Sequence, residues 1–331
     1  MKVCDLHCDT LMALRDAEQA GKPKDFASCD LMLDLDKMQR GGYLMQCMAC
    51  FVDLNGGTDP LQVALEEADQ LARLLERFPQ QLKPLYTAED VRTLPQDGRI
   101  GLLLTVEEGG VCHDSPAVLR ELYRRGVRMM TLTWNYPNGL AQPNAMPGYS
   151  EEVWPVAPNT TGGLTPRGVE MVQEMERLRM IVDVSHLSDA GFWDVVRHTT
   201  RPFAASHSNA RACCPHVRNL TDEMLHTMGE RGCLIGLNYC GAFLNDTLDR
   251  SYTPSRTADM VRHAKHLIDH AGEDCVALGS DFDGIHGELE IAGGADLPKL
   301  ADALLDGGLT ERQVEKMFYQ NALRFFGENL A

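Results

Sequence analysis

Near the start of the chain, the stretch "VCDLHCDTLM" places His7 and Asp9 one residue apart within an apolar segment. In an extended strand, residues i and i+2 point to the same face, so these two side chains and that of Asp5 would project together. Imidazole nitrogens and carboxylate oxygens are both ligands of zinc. An ordinary surface strand can contain the same residues, so the interpretation depends on what the rest of the chain supplies.

Other groups that bind metals or move protons follow apolar runs in the same way. Glu107 and Glu108 close one run, His186 and His207 close two others, and Asp281 closes the last. A mixed site of histidines and carboxylates is catalytic if it keeps an open position, and two metals need a bridging carboxylate. One further carboxylate, outside the ligand set, is then needed to transfer protons. The sequence contains all the groups that hydrolysis by a two-metal site requires.

The elements that would position these groups form a repeating pattern. Eight short apolar runs alternate with amphipathic stretches of helical length, as in βα units. The runs are residues 3–9, 43–54, 100–108, 127–135, 180–188, 203–209, 233–240 and 275–284. This pattern predicts an α/β protein with a (β/α)8 TIM-type barrel, in which catalytic groups lie at the C-terminal ends of the strands. A doubly wound open sheet is the alternative, but no G-x-G-x-x-G motif follows an early strand.

No linker or low-complexity segment divides the 331 residues, so a single barrel domain over residues 1–331 is expected. The tail "LTERQVEKMFYQNALRFFGENL" predicts a C-terminal helix at about residues 309–329 that packs on the barrel.

Composition excludes some classes of partner. The net charge of −17 argues against nucleic acid, because phosphate binding needs clustered Lys and Arg. No run of about 18 apolar residues predicts a transmembrane helix, so no membrane partner is expected. The first ten residues are too charged for a signal peptide, and the 11 cysteines are an odd number scattered through apolar segments. We therefore expect reduced thiols and a cytoplasmic location.

Eight ordered segments give the chain a specific resemblance to a known family. They are "DLHCDT", "TVEEGG", "GVRMMTLTWN", "GGLTPRG", "VDVSHLS", "ASHSNAR", "VRNLTD" and "GSDFDG". Together they resemble the renal (membrane) dipeptidase family, the M19 metallopeptidases, a branch of the metal-dependent hydrolase barrels. The resemblance implies a zinc-dependent dipeptidase that uses two Zn²⁺ ions and a metal-bridging hydroxide. It also implies tolerance for a D-residue at the C-terminal position of the dipeptide, and it is consistent with a homodimer.

The family's functional residues carry over to this chain by motif. His7 and Asp9 resemble the ligands of one zinc, and His186 and His207 resemble those of the second. A glutamate of "TVEEGG" bridges both ions in the family. Gapless matching toward "LTWN" favours Glu107, which we prefer.

Three further positions bear on the chemistry. Matching on the string Glu-Gly-Gly would favour Glu108 as the bridge instead of Glu107. Asp281 resembles the family's active-site acid, which also contacts substrate, and Arg218 resembles the arginine that holds the substrate carboxylate. An arginine suits that role because its planar fork pairs bidentately with a carboxylate.

One position departs from the family pattern. Animal members have a histidine after the fourth strand that faces the substrate carbonyl, and Trp134, followed by Asn135, stands there in this chain. The substitution leaves the ligand set intact, so hydrolysis is still expected, but it bears on substrate preference. Trp134 has only an N–H donor, and Asn135 is the candidate to replace the missing histidine.

Two other functions are the alternatives to a dipeptidase. Another amidohydrolase-type C–N hydrolase on the same barrel commonly carries a carbamylated lysine at the end of strand four, and the run at 127–135 has no lysine. A binding protein without catalysis would have lost one or more ligands, and none is missing.

Overall fold

Parallel strands and helices alternate along the chain. The computed structural model describes residues 1–144, 157–245 and 253–331. The strands in these ranges are β1 (Val3–Asp5), β2 (Tyr43–Phe51), β3 (Leu82–Pro84), β4 (Ile100–Glu107), β5 (Met129–Thr131), β6 (Ile181–Asp183), β7 (Ala204–Ala205), β8 (Leu234–Leu237) and β9 (Val276–Leu278).

The described helices surround these strands. They are α1 (Thr10–Gln19), α2 (Leu35–Gly41), α3 (Pro60–Arg77), α4 (Ala88–Asp97), α5 (Pro116–Arg124), α6 (Pro166–Leu178), α7 (Asp189–His198), α8 (Asp222–Glu230), α9 (Gly241–Leu244), α10 (Thr257–Ala271), α11 (Leu297–Asp306), α12 (Glu311–Glu315) and α13 (Asn321–Asn329). Short 3₁₀ turns occur at Gly109–Cys112 and Gly294–Asp296, and a π-helical turn at Lys316–Gln320 joins α12 to α13. Within the three described ranges, no helix combines the length and the apolar character needed to span a bilayer.

Eight of the described strands close into a barrel. Neighbouring strands follow the order β1-β9-β8-β7-β6-β5-β4-β2, and β2 pairs again with β1. The longest pairing runs from Met45↔Gly101 to Phe51↔Glu107, between β2 and β4. All of these pairings are parallel, so the C-terminal ends of the strands meet at one mouth. The predicted (β/α)8 barrel is confirmed, and each of its strands lies within one of the eight apolar runs.

The ninth strand lies outside the barrel wall. β3 pairs with the first half of β4, from Leu82↔Ile100 to Pro84↔Leu102, and β5 pairs with the second half, beginning at Thr105↔Met129. The three residues of β3 include a lysine and a proline, so they carry no apolar pattern that a sequence could reveal. Proline is tolerated here because β3 has an unpaired edge.

The C-terminal helix closes the opposite end of the barrel. Phe325, Phe326 and Leu330 are fully buried. They belong to one apolar cluster with residues near the starts of the strands, among them Cys4, Met45, Met129, Ile181 and Leu234. Apolar side chains therefore fill the N-terminal mouth, and polar groups concentrate at the C-terminal one.

Candidate metal centre

The five predicted metal ligands lie together at the C-terminal mouth of the barrel. His7 and Asp9 follow β1, Glu107 ends β4, His186 follows β6 and His207 follows β7. Each is at most 8% exposed. β1 ends at Asp5, so His7 and Asp9 lie in the turn that leads into α1 and not in the strand itself.

Glu107 is at the centre of the group. Its Oε2 lies 3.1 Å from His7 Nε2, and its Oε1 lies 3.0 Å from His186 Nε2 and 3.5 Å from His207 Nε2. Asp9 Oδ1 lies 3.6 Å from the same nitrogen of His7. Two triads of candidate ligands, His7–Asp9–Glu107 and Glu107–His186–His207, each have their ligand atoms within 4.8 Å of one another. The two triads share only Glu107.

Two candidate ligand atoms in this group are buried without a hydrogen bond. Among the described residues, His7 Nε2 and Asp9 Oδ1 have no hydrogen-bond partner. His186 Nε2 and His207 Nε2 face each other at 3.0 Å, where two lone pairs repel unless a proton or a cation lies between them. Buried polar atoms normally have partners, and nitrogen and oxygen donors of this kind suit zinc. The residues present therefore fit a pair of such ions.

Burial and charge act against each other on the pKa values of this group. Burial raises the pKa of Asp9 to about 8, although His7 beside it acts to lower it. Burial would lower the pKa of His7, but the charges of Glu107 and Asp9 outweigh it and raise that pKa well above its usual value. The centre holds more carboxylate charge than neutral imidazoles can balance, and this favours cations.

Glu108 faces away from the histidines. Its carboxylate accepts hydrogen bonds from the backbone amides of Gly110 (2.7 Å) and Trp134 (2.8 Å) and from the side chain of Asn138. Burial raises the pKa of Glu108 to about 7. Of the two adjacent glutamates, the structure brings Glu107 to the candidate ligands and uses Glu108 to hold its own loop together.

Asp281 lies beside the same nitrogen of His7. Its Oδ1 is 3.8 Å from His7 Nε2, and its Oδ2 accepts a hydrogen bond of 2.9 Å from Asn238. A Cβ atom on Gly284 would lie 2.0 Å from Asp9 Oδ2 and 2.9 Å from Asp281 Oδ1, so the turn needs glycine for this close approach. Sequence reasoning missed Asn238, although it follows β8 just as the other polar residues follow their strands.

Two of these residues have left-handed backbone conformations. His186 has a φ of 66° and Asp281 a φ of 65°. Non-glycine residues in this region are strained by roughly 1–3 kcal/mol, and such strain concentrates at functional sites. Both residues turn sharply at the end of a strand, which aims their side chains across the mouth of the barrel.

A cavity of about 200 Å³ opens above the centre. Arg218, which is buried, lines it and donates a hydrogen bond of 3.1 Å to the backbone oxygen of His207. Its guanidinium group lies 5.2 Å from the ring centre of Phe243. Trp134 also lines the cavity and packs edge-on against Phe51, with ring centres 4.9 Å apart. The cavity thus joins one fixed cation, an aromatic wall and the candidate ligands.

Asn135, the residue after Trp134, lines the cavity and also contacts the ligand group. Its Oδ1 lies 2.9 Å from His186 Nδ1. Asp5 also differs from the expectation that it projects with His7. Its Oδ1 accepts hydrogen bonds from the backbone amides of His7 (3.3 Å) and Ser280 (2.9 Å), so it supports the turn.

The chain matches a known protein family over its whole length. The model of the membrane dipeptidase family, peptidase family M19, matches residues 1–331. An "uncharacterized protein in pqqA 5′ region" of Klebsiella pneumoniae is 35% identical over 269 residues, which cover 80% of this chain and 96% of that protein. An uncharacterized dipeptidase of Schizosaccharomyces pombe is 32% identical over 309 residues, which cover 88% of this chain and 70% of that protein.

Solved structures share the whole architecture. A metallopeptidase of Rhodobacter sphaeroides, liganded with a phosphinate mimic of the dipeptide L-Ala-D-Ala, superposes with a TM-score of 0.88 at 27% identity, over 99% of each chain. Dipeptidase AC, an M19 metallopeptidase, gives a TM-score of 0.88 at 29% identity, over 99% of this chain and 98% of that one. An amidohydrolase from Pseudomonas aeruginosa, at 20% identity and a TM-score of 0.74, shares the fold over 88% of this chain and 90% of that one.

Proposed function

This chain belongs to peptidase family M19 and is a metallo-dipeptidase, and from that premise we propose that it hydrolyses dipeptides, including those with a C-terminal D-residue, with two zinc ions. The observation that carries the proposal is the position of Glu107. One oxygen of its carboxylate faces His7, and the other faces His186 and His207. A single side chain that reaches two sets of nitrogen donors is what a pair of neighbouring metals needs.

In this proposal, His7 and Asp9 would hold one zinc ion, His186 and His207 would hold the other, and Glu107 would contribute to both sites. Two zinc ions, when bound, supply Lewis acidity toward a carbonyl and an attacking water, and they neutralise the carboxylates of the centre. The chain's part is to keep five donors buried and correctly spaced before the substrate arrives. Every donor is on a different turn of the barrel mouth except the pair after β1, so the barrel itself sets the spacing.

Arg218 binds the free carboxylate of the substrate. The guanidinium group is held by the His207 carbonyl and the Phe243 ring, so little side-chain entropy is lost when it pairs with a carboxylate. A fixed cation beside the metal centre selects very short peptides, because the carboxylate must lie close to the scissile bond. The D-Ala of the mimic bound to the R. sphaeroides relative supports the tolerance for a C-terminal D-residue.

Asp281 transfers the proton. Asn238 holds Oδ2, which leaves Oδ1 on the side of the ligand group. Oδ1 takes a proton from the attacking water as the new C–O bond forms. The same proton passes to the amide nitrogen as the C–N bond breaks, so the products are two amino acids and Asp281 is again ionised. Removal of Asp281 is expected to lower kcat more than it raises KM.

The test combines metal analysis with a panel of L,L and L,D dipeptides. We expect two zinc ions per chain and hydrolysis of both classes. Glu107→Gln should lose metal and activity, because an amide oxygen is a much poorer bridging ligand. Glu108→Gln is the matched control, since it changes the neighbouring glutamate in the same way and should keep its zinc. Equal metal loss in both variants, or loss only in Glu108→Gln, would reassign the bridge.

The substrate panel, extended to cyclic amides, also distinguishes a dipeptidase from another amidohydrolase-type C–N hydrolase. Among the described residues that line the cavity there is no lysine that could carry a bridging carbamate. Activity on cyclic amides without activity on dipeptides would nevertheless favour that alternative.

We further propose a cytoplasmic homodimer. The 11 cysteines form no disulfide within the described residues, which agrees with a reducing compartment. Cell fractionation and sedimentation of the purified protein test the two parts of this statement separately.

A further inference from the structure

A buried aspartate stands behind one of the candidate ligands. Asp183, the last residue of β6, is 1% exposed. Its carboxylate accepts hydrogen bonds from the backbone amides of Ser185 (3.0 Å) and Ser206 (2.9 Å). It also accepts hydrogen bonds from the hydroxyls of Thr131 (2.8 Å) and Ser206. Four donors around one carboxylate mark it as ionised, so it acts only as an acceptor.

Ser206 also contacts the candidate ligand His207. Ser206 Oγ lies 2.7 Å from His207 Nδ1. The Ser206 hydroxyl has one proton, and it donates that proton in a hydrogen bond to Asp183, because an ionised carboxylate can only accept. Ser206 must then accept from His207, so the imidazole proton is on Nδ1. Ser185 Oγ accepts from the His207 amide at 3.2 Å and lies 3.3 Å from Ser206 Oγ, where it can donate its own proton. Every proton in the network then has an acceptor.

We propose that Asp183 and Ser206 are positioning residues that keep the His207 proton on Nδ1 and present the lone pair of Nε2 to the metal. The proposal rests on the metal centre described under the proposed function. Neither residue is among the described residues that line the cavity, and Ser206 Oγ links them directly to His207 Nδ1. A carboxylate behind a ligating imidazole also makes the ring a better electron donor.

The backbone of Ser206 is closely packed against two glycines. Its carbonyl oxygen lies 1.9 Å from the place where a Cβ atom on Gly236 would be, and 2.0 Å from that of Gly279. Gly236 in β8 and Gly279 just after β9 therefore leave room for the Ser206 backbone at the end of β7. The hydrogen bond from the Ser206 hydroxyl to Asp183 then favours the side-chain rotamer that places Oγ beside His207.

The second histidine of the same triad has a different partner. His186 Nδ1 faces the side-chain oxygen of Asn135, a neutral group at the edge of the cavity. The two imidazoles therefore differ in how firmly their protons are fixed. We expect His207 to be the stronger ligand of the pair and to depend on Ser206 for that strength.

The experiment measures both the tautomer and the metal affinity. Protein labelled with ¹⁵N-histidine and freed of metal is examined by long-range ¹H–¹⁵N NMR, with His207 assigned by substitution. Zinc affinity is measured by competition with a chromogenic chelator for the wild type, Ser206→Ala and Ser206→Thr. Thr131→Val is the matched control, because it removes one donor from Asp183 without touching the link to His207.

We expect the wild type to hold its proton on Nδ1 of His207 and Ser206→Ala to lose that preference. Zinc should bind Ser206→Ala about 10- to 100-fold more weakly at one of its two sites. Ser206→Thr, which restores the hydroxyl, and Thr131→Val should bind zinc as the wild type does. A wild-type proton on Nε2, or unchanged zinc affinity in Ser206→Ala, would overturn the proposal. If the wild type bound no zinc, the proposed zinc centre would be refuted. The tautomer of His207 in metal-free protein would still decide the role of Ser206.

Discussion

Substitution of Gly284 tests the geometry of the centre without removing any candidate ligand. A methyl group at position 284 would lie 2.0 Å from Asp9 Oδ2. A carbon and an oxygen that are not bonded need about 3.3 Å, so the Asp9 carboxylate or the turn must move by about 1.3 Å. Metal ligands tolerate deviations of only about 0.2 Å. A misplacement of about 1 Å at a reacting centre lowers the rate by about 100-fold, or about 2.7 kcal/mol in the activation barrier.

Gly284→Ala should therefore lower kcat/KM for a good dipeptide by about 100-fold and should reduce the zinc content. The assay is steady-state hydrolysis with zinc quantified in the same sample, together with the melting temperature. Gly327→Ala is the control, because a Cβ there meets only the flexible side chain of Arg92, at 3.2 Å and far from the centre. A Gly284→Ala enzyme that keeps its zinc and loses less than about threefold in kcat/KM would refute the placement of Asp9.

Three further outcomes follow from the same structure. Arg218→Met keeps an apolar contact with Phe243 but removes the charged donors, so KM should rise by about 10- to 150-fold while kcat changes less; steady-state kinetics measure the split. Phe326→Ala should lower the free energy of unfolding by about 3–5 kcal/mol in urea titrations, because the side chain is fully buried in the apolar cluster at the N-terminal mouth of the barrel. The zinc content of this variant should not change. A chelator should lower the melting temperature of the wild type, since free zinc at about 1,000 times its Kd stabilises the native state by about 4 kcal/mol; Glu107→Gln should show a much smaller change.

The barrel could be predicted because each of its strands leaves a local trace. Strands buried on both faces are continuous apolar runs, and polar residues directly after such runs are conspicuous. The predicted strand boundaries were less accurate than the predicted number of barrel strands. The run at 203–209 contains a strand of only two residues, Ala204–Ala205, because the chain must turn at once to place Ser206 and His207. β3 leaves no such trace, because its three residues include a lysine and a proline.

Contacts between side chains on different strands could not be predicted from the sequence in the same way. Alternation along β4 implies that Glu107 and Glu108 point apart, but only the pairing of β4 with its neighbours determines which one faces the histidines. Asp183 ends β6 and Ser206 follows β7, so the two meet only when these strands pair, and neither residue stands out in the sequence. Asn238 could have been found by the rule that identified the histidines, which shows that the rule applies to amides as well as to ionisable groups.

The left-handed turns at His186 and Asp281 imply a conflict between folding and catalysis within this chain. A protein selected for durability alone would have glycine or asparagine at both places, since these residues adopt that backbone region with little strain. Variants with glycine at either position should accordingly melt at a higher temperature in the absence of metal while they lose turnover. Laboratory evolution toward heat resistance would therefore replace His186 and Asp281 early, at the expense of turnover.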